Sequence, residues 1–350
     1  RYLAVDESRM LADPARYYKG GKPDLQLFDK KLYEVNPDDK VAIARAAAEE
    51  VLGKDERIIS VDSSYSDGEG SSYRLISNGF EGESKSTWFS VSASVSIKGE
   101  GEARPQDYWY DSALFYDKLT KTGIGAKALE RVLRKLGQKK AKSGKYTMVV
   151  DPMNVGNLLS PMLSALYGSA LQQKNSFLMD KLDTKVASDL FTLRDEPHAI
   201  GANGSRYFDN EGVATEPRTV FDKGVLKTYF IDTYNGKKMD IAPTISAPSR
   251  LILTPGDKDL NGLVADIKQG ILVTGFNGGN SNSSTGDFSY GIEGFLIEDG
   301  KLTQPVNEMN VTGNMVTLWN SLVAVGNDPQ PNRSWQIPSL VFEGVDFSGL

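Results

Sequence analysis

Apolar and polar positions recur along this chain with two different periods, and the change of period separates helices from strands. Residues 37 to 52 place Val41, Ala44, Ala47, Ala48, Val51 and Leu52 at helical spacing. Asn36 stands at the cap position and Pro37 suits a first turn, so a helix is predicted there. Three segments then alternate with period two: Ile58 to Tyr65, Ser71 to Ser77 and Ser86 to Lys98. In the last of these Phe89, Val91, Ala93, Val95 and Ile97 face one way, and Trp88, Ser90, Ser92, Ser94 and Ser96 the other. That pattern predicts an antiparallel sheet with one wet, Ser-rich face. Gly68, Gly70, Gly79 and Gly82 are predicted to mark its turns.

A second helix is predicted from Leu119 to Leu136, with Ile124, Ala128, Leu129, Val132 and Leu133 on one side and Gly137 to end it. The polar, basic stretch Gln138 to Lys145 then reads as a domain boundary. Residues 1–140 form an α+β domain; residues 141–350 form a mainly antiparallel β domain. The second domain opens with a buried-type strand, Tyr146 to Val150, and a helix over about residues 154–172. Gly-, Asn- and Thr-rich short strands follow. The predicted class is α+β, with mixed and antiparallel sheets and packed helices.

Composition narrows the function classes. Hydrophobic residues make up 39% and charged residues 25%, as in ordinary globular proteins. The net charge of -6 argues against nucleic acid as a partner, because phosphate contacts need clustered Lys and Arg. The densest basic run, Lys135 to Lys145, reads as a helix end and linker. No apolar run reaches the ~20 residues that span a bilayer, and no signal peptide is visible. The chain begins at Arg1 without an initiator Met, so further sequence is expected before it. The absence of Cys fits a reducing compartment.

Candidate chemistry is sparse. His198 is the one histidine, in a loop-like segment after Asp195, Glu196 and Pro197. It reads as an exposed or hydrogen-bonded loop residue, with a general base beside Asp195 as the functional alternative. No nucleophile elbow accompanies it. Asn277 to Ser284 is Gly-rich but lacks the Lys and helix of a phosphate loop, so it reads as a hairpin or rim loop. Trp335 lies in the Pro-rich segment Asp328 to Pro338, which suits an interface or a packed crossover.

The chain resembles the TldD/PmbA family, and its PmbA (TldE) branch most. The resemblance is carried by Tyr108 to Asp111, Gly123, Gly125, Asp151-Pro152, Ser164 to Ala170, Ser176 to Leu178 and Phe208 to Gly212. It continues through Gly224-Val225-Leu226, Thr285-Gly286-Asp287-Phe288-Ser289, Gly294 to Gly300 and Pro305-Val306. The active branch carries HExxxH on the first helix of its second domain, where two His hold zinc and the Glu serves as base. An ungapped placement puts Leu159, Ser160 and Ser164 in those three slots. The C-terminal Cys ligand of the active branch also has no counterpart in Asp328 to Trp335.

The resemblance therefore implies a non-catalytic subunit, with no catalytic residue and no zinc of its own. It implies a cytoplasmic complex with a homologous HExxxH-containing subunit that carries zinc and processes unfolded peptides or small proteins. Thr285 to Ser289 reads as a structural turn leading into a strand, with a peptide or partner edge as its functional alternative. The alternative is a stand-alone scaffold that self-associates as a homodimer. The family's older name, modulator of DNA gyrase, matches no gyrase-binding motif in these residues.

Overall fold

The structure is a computed structural model and describes residues 4–350. Its elements in chain order are α1 (Pro37–Glu49), β1 (Ile58–Ile76), β2 (Phe80–Ile97), β3 (Gln106–Ala113), α2 (Ile124–Leu133), β4 (Gly144–Val150), α3 (Gly156–Ser164) and α4 (Gly168–Gln172). There follow β5 (Leu193–Asp195), β6 (Arg218–Asp222), β7 (Val225–Leu226), α5 (Thr233–Met239), β8 (Leu251–Leu253) and α6 (Leu260–Ala265). The chain ends with β9 (Gln269–Ser281), β10 (Asp287–Glu298), β11 (Lys301–Asn314), α7 (Met315–Asn320), β12 (Leu322–Val325), β13 (Trp335–Gln336) and β14 (Leu340–Ser348).

The first half is a three-stranded antiparallel sheet, β1-β2-β3, covered on one face by α1 and α2. Phe89, Val91, Ala93, Val95 and Ile97 are buried beneath the helices, and the alternate serines stay on the open face. Strand β1 is continuous, however. Gly68 and Gly70 pair with Trp88 and Ser86 inside the sheet, and the turn is left to Asn78-Gly79. Gly68 serves another purpose, since a Cβ there would sit 2.9 Å from the Trp88 indole. Helix α1 is also narrower in contact than its pattern suggests: Ala47 and Val51 are buried, while Val41 and Leu52 are exposed.

Helix α2 is shorter than its apolar stripe predicts, and its start is built by α1. The Glu50 carboxylate accepts from Gly123 N at 2.6 Å, Gly125 N at 2.8 Å and Ala126 N at 3.2 Å. These are donors a helix N-terminus leaves unpaired. Gly123 caps the helix in the left-handed conformation. Gly125 lets the two helices touch, because a Cβ there would lie 1.9 Å from Ala47 O.

The second half holds a six-stranded sheet in the order β11-β10-β9-β4-β14-β12, with β11 also pairing to β14 so that the sheet closes on itself. A second sheet runs β13-β8-β5-β6-β7. Pairing is antiparallel except for β4–β9 and β13–β8. Trp335 thus sits in a packed crossover beside Leu251.

The single helix expected over residues 154–172 is two helices. The chain breaks at Ala165 to Tyr167 because Phe230 N donates to Leu166 O at 2.9 Å and Gly168 N donates to Phe230 O at 2.7 Å. Tertiary hydrogen bonds replace the helical ones there. The core also crosses the division at residue 140. Ala12, Tyr17 and Phe80 pack with the second half, and Phe80, at the tip of the β1–β2 hairpin, meets Tyr17 in a tilted and Phe208 in an edge-on ring contact. Among the described residues no helix is long and apolar enough to cross a membrane.

Candidate functional site

The three slots singled out by the sequence lie on α3, but not on one face of it. Asp151 starts the turn by accepting from Asn154 N at 3.0 Å and Asn154 Nδ2 at 2.7 Å. Leu158, Leu159, Met162 and Leu163 then face the core. Leu159 has 0% of its surface exposed, whereas Ser160 and Ser164 face solvent. A buried isobutyl group and two neutral hydroxyls do not fit zinc, which takes His, Cys or carboxylate ligands. Among the described residues no three His, Cys, Asp or Glu side chains gather as a metal site.

A cleft of about 610 Å³ opens beside this helix's N-terminus, between α2 and the closed sheet. Trp109, Arg131, Asp151, Met153, Asp328 and Gln330 are among its lining residues. Arg131, on its lining, belongs to a bridged set of charges. Arg131 Nε lies 3.2 Å from Asp107 Oδ1, and Lys135 Nζ lies 3.2 Å from Asp107 Oδ2 and 2.7 Å from Glu293 Oε1. These ties join β3 and α2 to β10. Asp151 is buried in the wall, and burial pushes its carboxyl up to about 6 against the pull of Asn154 and Arg131.

The cleft wall includes a strand with an open side. β3 pairs with β2 alone in its sheet; beyond that ladder Thr120 N donates to the Asp111 carboxylate and Lys135 Nζ to Gln106 O, and no further strand among the described residues pairs with its backbone. Tyr108 and Tyr110 stack on its open face, and the Arg333 guanidinium sits 4.6 Å from the Tyr110 ring centre. The arrangement can hold an extended chain through main-chain hydrogen bonds, with aromatic and guanidinium groups beside it. The fold therefore brings together Tyr108 to Asp111, Asp151-Pro152 and Asp328 to Trp335, which lie far apart in sequence. Sequence reasoning missed Asp107, Arg131, Lys135 and Glu293. The available signal was that Arg131 and Lys135 fall on the polar side of an amphipathic helix.

Thr285 to Ser289 is a turn that leads into β10. Phe288 pairs with Ser281 on one side and Gly313 on the other, and Ser289 with Asn280 and Thr312. Asp287 accepts from Thr285 Oγ1 at 2.8 Å and Asn314 Nδ2 at 3.0 Å, which fixes the turn. Phe288 and Ser289 therefore have both ladders occupied within the sheet, Gly286 is buried, and Thr285, Asp287 and Ser289 keep exposed side chains. Asn277 to Ser284 forms the neighbouring hairpin, where Ser283 Oγ donates to Asn175 Oδ1 at 2.8 Å.

His198 is half-buried against Tyr207, at 5.0 Å between ring centres, and its Nε2 lies 3.0 Å from Thr215 Oγ1. Burial and then Lys22 hold its imidazole below the ordinary value. Asp195 points elsewhere. Its Oδ1 accepts from Ser249 N and Arg250 N at 3.0 and 2.8 Å. The two residues do not form a base and its orienting partner.

Comparison with known proteins agrees with this architecture. Residues 30–136 match the PmbA/TldA metallopeptidase central domain, and residues 143–349 match the C-terminal domain of that family. A solved structure from Bacteroides thetaiotaomicron, provisionally described as a modulator of DNA gyrase, is 73% identical with a TM-score of 0.99. The match covers 100% of this chain and 80% of that one. The metalloprotease PmbA homolog of Haemophilus influenzae is 29% identical over 357 residues, covering 100% of this chain and 78% of the relative. TldE from Thermococcus kodakarensis shares the fold, with a TM-score of 0.81 at 22% identity over 99% of this chain and 81% of that one. The chain belongs to the PmbA/TldD family and is a homologue of its metallopeptidases.

Proposed function

We propose that this chain is the non-catalytic, PmbA/TldE-type subunit of a zinc metallopeptidase complex acting on unfolded peptides or small proteins in the cytoplasm. The observation that carries the reading is Leu159, fully buried in α3 where the resemblance calls for a zinc ligand. In this reading zinc belongs to a homologous partner subunit with HExxxH. Residues 1–140 and 141–350 act as two walls of a chamber, and the peptide lies along β3 rather than along Thr285 to Ser289. A strand added to an edge is held by main-chain bonds, so it tolerates many sequences.

The test is reconstitution. The mixture of this chain with an HExxxH-bearing homologue is expected to cleave an unstructured peptide, with EDTA abolishing cleavage and each chain alone cleaving poorly. Full activity of the homologue alone, or no association at micromolar concentration, overturns the reading. A second reading, a stand-alone homodimeric scaffold, is favoured by β1. Among the described residues this edge strand of 19 residues pairs only with β2 and offers a template to a second copy. Sedimentation of the isolated chain separates the two readings.

A further inference from the structure

Strand β1 is an edge whose charges complement one another. Its inner side is filled by β2, and its outer side makes no main-chain hydrogen bond among the described residues. Its charged side chains are Asp62, Asp67, Glu69 and Arg74. The inner two are neutralised within the chain: Lys40 Nζ lies 2.6 Å from Asp67 Oδ2, and Lys85 Nζ lies 3.3 Å from Glu69 Oε2. The outer two, Asp62 and Arg74, are exposed and have no ion-pair partner among the described residues. They carry opposite charges and stand at equal spacing on either side of Gly68.

Large apolar groups are left uncovered on the same hairpin. Tyr73 and Leu75 are 64% and 71% exposed, and Trp88, whose indole lies over Gly68, is 43% exposed. Residues directly opposite in an antiparallel pair share a face and touch. With β1 of a second copy laid antiparallel and the two Gly68 residues opposite, Asp62 of one copy meets Arg74 of the other. Val61 then meets Leu75, Ser63 meets Tyr73, and the two Trp88 indoles approach over the axis. Asp67 meets Glu69, each already held by its own lysine. Moving the centre to Asp67 or Glu69 puts Asp62 opposite Ser72 or Ile76 and loses both ion pairs. A polar, Gly-containing strand specifies its register weakly, so the unpaired charges select it.

We propose that β1 is the docking surface for a second copy of this chain, paired antiparallel about Gly68 and held in register by reciprocal Asp62–Arg74 ion pairs. The contact is isologous, so each pair is made twice. Main-chain bonds along β1 join two three-stranded sheets into one and cover Tyr73 and Leu75. The proposal rests on the self-association reading of β1. It leaves β3 and its cleft free at the other edge of the sheet.

Sedimentation of the whole chain and of two charge variants tests this. The unaltered chain is expected to dimerise at micromolar concentration. Asp62→Arg and Arg74→Asp each set like charges opposite one another at both ends of the contact. Each is expected to weaken the dimer about tenfold to a hundredfold. An equimolar mixture of the two variants restores opposite charges across the axis, and its dimer is expected to return. The chain has no cysteine, so crosslinking reads the register cleanly. Ser64→Cys and Ser72→Cys proteins, mixed under mild oxidation, are expected to crosslink to each other in preference to themselves. A dimer indifferent to both charge changes, a mixture no better than either variant, or no mixed crosslink overturns this register and leaves self-association standing. A chain that stays monomeric at high micromolar concentration overturns both.

Discussion

Rebuilding HExxxH on α3 is the sharpest test of how this chain differs from a zinc peptidase. The perturbation is the triple change Leu159→His, Ser160→Glu and Ser164→His. Ser160 and Ser164 are exposed, so their replacement is expected to shift stability by no more than ~0.5 kcal/mol each. Leu159 is different, because it has 0% exposure and packs with Leu158, Met162 and Leu163. Removing its burial costs about 2–3 kcal/mol. Leaving an imidazole nitrogen buried without a partner adds about 1–3 kcal/mol. The sum, about 3–6 kcal/mol, is a large part of the ~5–15 kcal/mol that holds a typical domain folded. Urea unfolding of the triple variant against the double Ser160→Glu, Ser164→His variant reads the difference directly. Elemental analysis of tag-free protein reads the metal, and no stoichiometric zinc is expected in either. Zinc bound tightly by the triple variant, or stability equal to that of the double, would refute the reasoning.

Three further outcomes follow from particular contacts. Asp151 has its folded-state pKa raised to about 6 by burial, so its contribution to stability is complete below about pH 4 and is lost as pH rises through about 6. Asp151→Asn is therefore expected to gain on the order of 2–3 kcal/mol at pH 7 and to flatten that part of the urea-midpoint profile; an unchanged slope rejects the assignment. Gly125→Ala drives a methyl against Ala47 O at 1.9 Å, backbone that cannot yield, and is expected to cost about 1–3 kcal/mol by thermal unfolding. His198→Ala is expected to cost about 1 kcal/mol through Thr215 and Tyr207 while leaving reconstituted peptidase activity intact; a large activity loss in folded protein would give His198 a chemical role.

The sequence by itself determined the alternation that buries Phe89 through Ile97 and the α1 cap at Asn36. Those are local facts, set by side-chain period and by residue chemistry. The family was legible for a related reason. Its marks include glycines such as Gly125 and Gly294, where a Cβ would meet Ala47 O at 1.9 Å or Leu272 O at 1.8 Å. Such residues are fixed by packing and leave a trace in any one sequence.

The placement of edges was decided only by the tertiary structure. The strand that follows the Thr285 turn is closed because β9 and β11 pair with Phe288 and Ser289 on either side, and β3 is open because no strand among the described residues pairs beyond it. The break between α3 and α4 depends on Phe230, more than sixty residues away, whose main chain outbids the helix for Leu166 and Gly168. The cleft is of the same kind: Arg131, Asp151 and Asp328 meet only when distant segments pack. Periodicity reports which face of an element is buried, but not which partner buries it.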